Sequence, residues 1–167
     1  GIANGFPLGA FWIADSQRDE RGPLCDLLGP GSHGTTYGGN PVACAAGLKV
    51  LEIIERDNLR AAAVTLGNDL ATSLRNADLP HVSGVRALGL MVGIQLDKET
   101  FPTGPRPPAL EVVVRCMEQG LLAIPAGETV VRFLPPLNVT ADEIDEAVKK
   151  FAAALGKLEK SPESVSA

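Results

Sequence analysis

His33-Gly34-Thr35-Thr36-Tyr37-Gly38-Gly39-Asn40-Pro41-Val42 reads as a glycine-rich turn with two adjacent hydroxyls, running straight into a helix. Asn40 suits the N-cap, because its side-chain oxygen can accept from an unpaired N–H of the first helical turn. Pro41 suits the first helical position, where a missing N–H costs nothing. The glycines let the backbone come close to a ligand. Free N–H groups beside the Thr35 and Thr36 hydroxyls would then form an anion site. A hydrogen-bonded turn ahead of a buried helix needs the same residues, so both readings stand at this point.

Outward from this turn, the chain has the composition of a globular protein. It has 167 residues, 45% hydrophobic and 21% charged, enough for one ordinary domain or two small ones. A net charge of −5, with no basic stripe interleaved with aromatics, argues against a nucleic-acid surface. No apolar run is long enough to span a bilayer, and no segment reads as a secretory signal. Cys25, Cys44 and Cys116 are odd in number and widely spaced, with no metal or disulfide pattern. Cys44 and Cys116 fall in helical patterns and are expected in the core. A reducing cytoplasm fits this usage. The opening, Gly1 to Ala10, reads as the middle of something longer, so the chain is expected to be a fragment.

Upstream of the turn, Leu8 to Ala14 is a short apolar run expected as a buried strand. Asp15 to Gly22 is polar and turn-like, and Pro23 to Leu28 has room for one or two helical turns. Downstream, Pro41 to about Arg56 is a helix whose small, apolar first half should be buried on most sides. Asp57 and Asn58 offer a second cap. Leu59, Ala63, Leu66, Leu70 and Leu74 recur at helical spacing to about Asn76. The boundary expected near Asp57 divides the chain into residues 1–57, residues 58–159 and a frayed tail, 160–167.

Leu88, Leu90, Val92, Ile94 and Leu96 alternate with Gly89, Met91, Gly93 and Gln95, which predicts one half-buried, antiparallel strand. A proline-rich loop follows from Phe101 to Pro108. Leu110, Val113, Val114 and Met117 mark a helix face that Gly120 should end. Leu121 to Ile124 and Thr129 to Phe133 read as strands around a turn at Gly127. Thr140-Ala141-Asp142-Glu143 is a capping box. It opens a helix with Ile144, Ala147, Val148, Phe151, Leu155 and Leu158 on one face. The fold class expected is α/β, with an α/β remnant first and a small α+β unit second. Arg132, inside the apolar run Val130-Val131-Arg132-Phe133, is the most unusual charge. It needs a carboxylate, its own or a ligand's, unless it lies on the solvent face of the strand.

HGTTYGGNP followed by a small-residue helix resembles the phosphate-binding turn of class III, pyridoxal-phosphate-dependent aminotransferases, and most closely the acetylornithine and ornithine enzymes. Val130-Val131-Arg132-Phe133-Leu134-Pro135-Pro136 resembles the family's C-terminal arginine motif. Gly84-Val85-Arg86-Ala87-Leu88-Gly89-Leu90-Met91-Val92-Gly93 is a third matching block, with Ala87 where the family usually has Gly. The likeness runs from Gly1 to roughly Leu158.

The resemblance implies the C-terminal part of a fold-type I pyridoxal 5'-phosphate enzyme, homodimeric and cytoplasmic. Thr36 would donate to the cofactor phosphate and Thr35 would lie beside the substrate, with the turn supplied in trans to the neighbouring active site. Arg132 would hold the second carboxylate of glutamate or 2-oxoglutarate, and pair otherwise with a glutamate of the large domain. The Schiff-base lysine would directly precede Gly1. Lys49, Lys98, Lys149, Lys150, Lys157 and Lys160 read as solvated surface, and His33 and His81 as turn and loop residues rather than bases. The reaction implied joins small amino-acid and 2-oxo-acid substrates: N2-acetylornithine and 2-oxoglutarate. Ornithine, succinylornithine and 4-aminobutyrate remain as rival donors. A non-catalytic phosphate- or nucleotide-binding module is the rival of another class.

Overall fold

A computed structural model describes residues 2–20, 22–29 and 31–158. The chain divides into two compact units, Gly1–Asn58 and Leu59–Ala167.

The first unit carries little regular structure before its helix. β1 (Gln17–Asp19) pairs antiparallel with β2 (Gly22–Pro23), so the polar stretch is a small hairpin. A 3₁₀ turn follows at Leu24–Leu28. Leu8 to Ala14 is not the buried strand expected: it forms no ladder, and Trp12 is 85% exposed. Apolar content alone does not make a strand; the ladder needs a partner, and this unit offers none among the described residues. Helix α1 (Pro41–Arg56) begins where expected, with the Asn40 side chain accepting from the N–H groups of Val42 and Ala43. Only Ala43 and Gly47 of this helix are buried, against the expectation of burial on most sides. Cys44 is exposed rather than in the core. The apolar content of α1 exceeds what its own unit can cover. Asp57 closes α1 and pairs with Arg56 at 2.7 Å.

The second unit is an α+β layer. Helix α2 (Leu59–Asn76) leads into a four-stranded antiparallel sheet, β3 (Val82–Leu88), β4 (Met91–Leu96), β5 (Ile124–Pro125) and β6 (Val130–Phe133), in the order β3-β4-β6-β5. Helices α3 (Pro108–Glu118) and α4 (Ala141–Gly156) complete it. The single strand expected over Leu88 to Leu96 is two strands. Gly89, at φ +54°, opens a tight turn that sets Leu88 opposite Met91. Leu90, Val92, Ile94 and Leu96 keep their alternation and are buried, but Leu88 turns outward and is 77% exposed.

One face of the sheet meets the helices. Val92, Ile94, Val131 and Phe133 pack there with Leu70 and Leu74 of α2, Val112 and Cys116 of α3, and Phe151 and Leu155 of α4. Phe133 and Phe151 meet edge to face, with ring centroids 5.3 Å apart. The buried stripe of α3 is Ala109, Val112, Val113 and Cys116, so the expected stripe was rotated; Leu110 and Met117 are exposed. Leu121 to Ala123 is not strand, and β5 begins only at Ile124. Gly120, at φ +71°, ends α3: the Leu121 N–H reaches back to the Cys116 carbonyl at 2.9 Å and the Gly120 N–H to Met117 at 2.9 Å. The capping box of α4 is formed in both directions. The tail 160–167 lies outside the described residues.

Candidate functional site

In the first unit, the threonine turn is built by local bonds. The Gly38 N–H donates to the Thr35 carbonyl at 3.0 Å and the Asn40 N–H to the Tyr37 carbonyl at 3.1 Å. A Cβ on Gly38 would lie 3.2 Å from both the carbonyl oxygen and Oγ1 of Thr35, so the absence of a side chain there lets the turn close on Thr35. Thr35 and Thr36 are both exposed.

The donors left free lie in the turn itself, ahead of the helix. Asn40 Oδ1 takes the Val42 N–H at 3.0 Å and the Ala43 N–H at 3.1 Å, and the Asn40 carbonyl takes the Cys44 N–H at 3.0 Å. The first helical turn therefore has these N–H groups committed. Among the described residues, the N–H groups of Thr36, Tyr37 and Gly39 have no acceptor within the chain. Those backbone donors lie with the Thr36 hydroxyl on one exposed turn. A phosphate with its three acceptor oxygens suits such a set.

Arg132 lies in the second unit, on the sheet face opposite the helices, paired with Gly93 on one side and Ile124 on the other. It is half-buried. Its Nε is buried with no hydrogen-bond partner. Among the described residues it has no carboxylate within 4.0 Å. Arg132 lines a cavity of about 310 Å³ together with Arg86, Leu88, Met91, Gly93 and Val130, and no residue of its lining is acidic. A buried N–H without an acceptor is costly unless a partner arrives. In the sequence Arg86 stands only within a matching block; its place on the row of Arg132 follows from the register of β3 on β4 and of β4 on β6.

The other reactive side chains are occupied with packing or surface contacts. His33 Nδ1 meets Ser32 Oγ at 3.1 Å and its ring meets Phe11 edge on. His81 Nδ1 meets Thr100 Oγ1 at 3.3 Å and its ring abuts Phe101, while its Nε2 is buried without a hydrogen-bond partner. Lys49, Lys98 and Lys150 pair with Glu52, Glu128 and Glu146. Burial pushes the Cys116 thiol up to about 12. Among the described residues no group of His, Cys, Asp and Glu could hold a metal ion, and no helix is long and apolar enough to cross a membrane.

Comparison with known proteins bears on both features. The class-III aminotransferase family model matches residues 1–155. Acetylornithine aminotransferase 1 of Bordetella bronchiseptica is 42% identical over 151 residues, which cover 89% of this chain and 34% of that protein. Acetylornithine aminotransferase of Synechocystis sp. is 40% identical over 161 residues, 95% of this chain and 34% of that one. The solved ornithine aminotransferase of Toxoplasma gondii, with pyridoxal phosphate partially occupying its active site, matches with a TM-score of 0.69 at 30% identity, over 82% of this chain and 32% of that one. The chain thus spans about a third of the length of the relatives it matches. Its two units reproduce part of the mixed α/β fold of those enzymes. Because the match runs unbroken through the threonine turn and the Arg132 strand, the chain belongs to the class-III aminotransferase family.

Proposed function

We propose that this chain is the C-terminal part of a pyridoxal 5'-phosphate-dependent acetylornithine aminotransferase. The enzyme converts N2-acetylornithine and 2-oxoglutarate to N-acetylglutamate 5-semialdehyde and glutamate, in arginine biosynthesis. Residues 1–57 belong to its large domain and residues 58–159 form its small domain. It works in the cytoplasm as a homodimer, in which the Thr35-Thr36 turn serves the neighbouring copy's site. The observation that carries the reading is the half-buried Arg132, whose Nε has no acceptor in a cavity without an acidic residue. That arrangement suits the carboxylate of an incoming 2-oxo acid. The names of the relatives at 40% and 42% identity favour acetylornithine as the donor.

The residues present fit the cofactor's phosphate. Thr36 offers its hydroxyl, and the N–H groups of Thr36, Tyr37 and Gly39 are uncommitted among the described residues. Thr35 stands beside the substrate, its backbone fixed by the Gly38 bond. When bound, the cofactor ring acts as an electron sink for the carbon that bears the amino group. Arg132 sets which oxo acid is accepted. Ornithine as donor is the second reading, favoured by the structural match to an ornithine aminotransferase.

The test is a chimera in which this chain replaces the matched residues of the Synechocystis enzyme. Turnover of N2-acetylornithine with 2-oxoglutarate is expected. Thr36→Ala should weaken pyridoxal phosphate roughly 10- to 100-fold, the worth of one hydrogen bond to a charged group. A folded chimera that turns over ornithine alone would move the donor to the second reading. Tight binding of an ordinary nucleotide, lost in Thr36→Ala, would replace the aminotransferase reading by the binding-module one.

A further inference from the structure

Arg86 and Arg132 stand on one row of the sheet. Arg86 is opposite Gly93, and Gly93 is opposite Arg132. Residues directly opposite one another point to the same face, so both arginines leave the face away from the helices, with Gly93 between them. Strands β3 and β6 are two strand spacings apart, roughly 10 Å. The Arg86 side chain is turned inward along this row. A Cβ on Gly93 would lie 3.5 Å from Arg86 Nε and 3.6 Å from Arg86 Cγ. Although β3 is an edge strand, the stem of Arg86 thus lies over the neighbouring strand and toward Arg132. Any side chain at position 93 would have to share that space.

Within this chain the two charges meet no counter-charge among the described residues. Arg56, Arg106 and Arg115 each have a carboxylate between 2.7 and 2.9 Å away, and Arg75 donates to a carbonyl at 2.9 Å. Among the described residues, Arg86 and Arg132 have neither. Both line the same cavity of about 310 Å³. Like charges held in one cavity repel, and an anion between them removes the conflict. A carboxylate has about four lone-pair sites and can accept from two guanidiniums at once.

We infer that Arg86 is a second carboxylate-binding residue, so that one carboxylate of the acceptor is held between Arg86 and Arg132. The inference rests on the reading of Arg132 given above and deepens it: preference for a dicarboxylate over a monocarboxylate comes from two cations across a glycine. Arg132 supplies the enclosed contact and Arg86 the exposed one, whose share is reduced by solvent.

The test is an NMR titration of the isotope-labelled chain with glutarate, against neutral glutaramide and sodium chloride at matched ionic strength. The Nε–H signals of Arg86 and Arg132 should move along one binding curve with glutarate alone. Arg86→Gln should weaken glutarate roughly fivefold, as an exposed ion pair of about 1 kcal/mol implies, and Arg86→Lys should restore part of it. Unchanged core signals from Val92 and Ile94 would show that the variants keep the sheet. In the chimera, Arg86→Gln should raise KM for 2-oxoglutarate about as much, with kcat little altered. Arg132 responding while Arg86→Gln binds as well as the parent would overturn the inference and leave the proposed function standing. No response from either arginine, or an equal response to chloride, would overturn both the inference and the carboxylate role of Arg132.

Discussion

Gly67→Ala should destabilise the second unit, although helix propensity predicts the opposite. Position 67 is in the interior of α2, where alanine is favoured over glycine by about 1 kcal/mol. A Cβ there would fall inside the van der Waals envelope of the Gly89 carbonyl and 2.9 Å from the Leu90 nitrogen. Both neighbours are backbone of the tight β3–β4 turn, so no side chain can swing aside. Overpacking of this kind costs about 1–3 kcal/mol, and where backbone must move the upper end applies. Set against the propensity gain, the net loss is about 1–2 kcal/mol. For a unit of this size that lowers Tm by roughly 5–15 °C. Thermal and urea unfolding followed by circular dichroism would measure it, with Asn68→Ala, exposed and next on the same helix, as the control expected to gain slightly. A Gly67→Ala chain as stable as its parent would refute the reasoning, because it would show that the turn is free to retreat from α2.

Other outcomes follow from single contacts. The Thr140 backbone N–H and hydroxyl hold the Glu143 carboxyl below its ordinary value of 4.5, so the stability it contributes is present above that pH and lost as pH falls through the folded value. The stability gap between the parent and Glu143→Gln should therefore close on acidification from pH 7 to 3; a constant gap would contradict this. Alkylation at pH 8 should modify exposed Cys44 and spare Cys116 until the chain is unfolded, since the thiolate is the reactive form; native labelling of Cys116 would contradict it.

Local chemistry was legible in the sequence and partnership was not. The Asn40 cap, the Thr140 capping box and the Gly120 stop each depend on a few adjacent residues, and all three form. The β3–β4 hairpin was hidden because Leu88 continues the alternation of Leu90 to Leu96. Only the two-residue turn, which puts Leu88 opposite Met91, reverses its face. The stripe of α3 was misjudged because Ala109 and Cys116 are small and carry little weight beside Leu110 and Met117, yet small residues are what the sheet admits there. Leu8 to Ala14 has the content of a strand, but its ladder depends on groups no local pattern can name. Of the site, Arg132 stood out as a charge in an apolar strand, while Arg86 needed the register of two neighbouring strands to be seen.

The borders of the four-stranded sheet bear on how this chain can associate. At one border β5 is two residues long and ends in Pro125, which has no N–H to offer. At the other, Arg75 donates to the Val85 carbonyl at 2.9 Å and so occupies an acceptor of β3. Neither border is a good template for an added strand. Leu88, Met91 and Ile124, by contrast, are exposed on the broad side. Self-association of this unit should accordingly stack side chains face to face rather than extend the hydrogen-bonded ladder into fibrils.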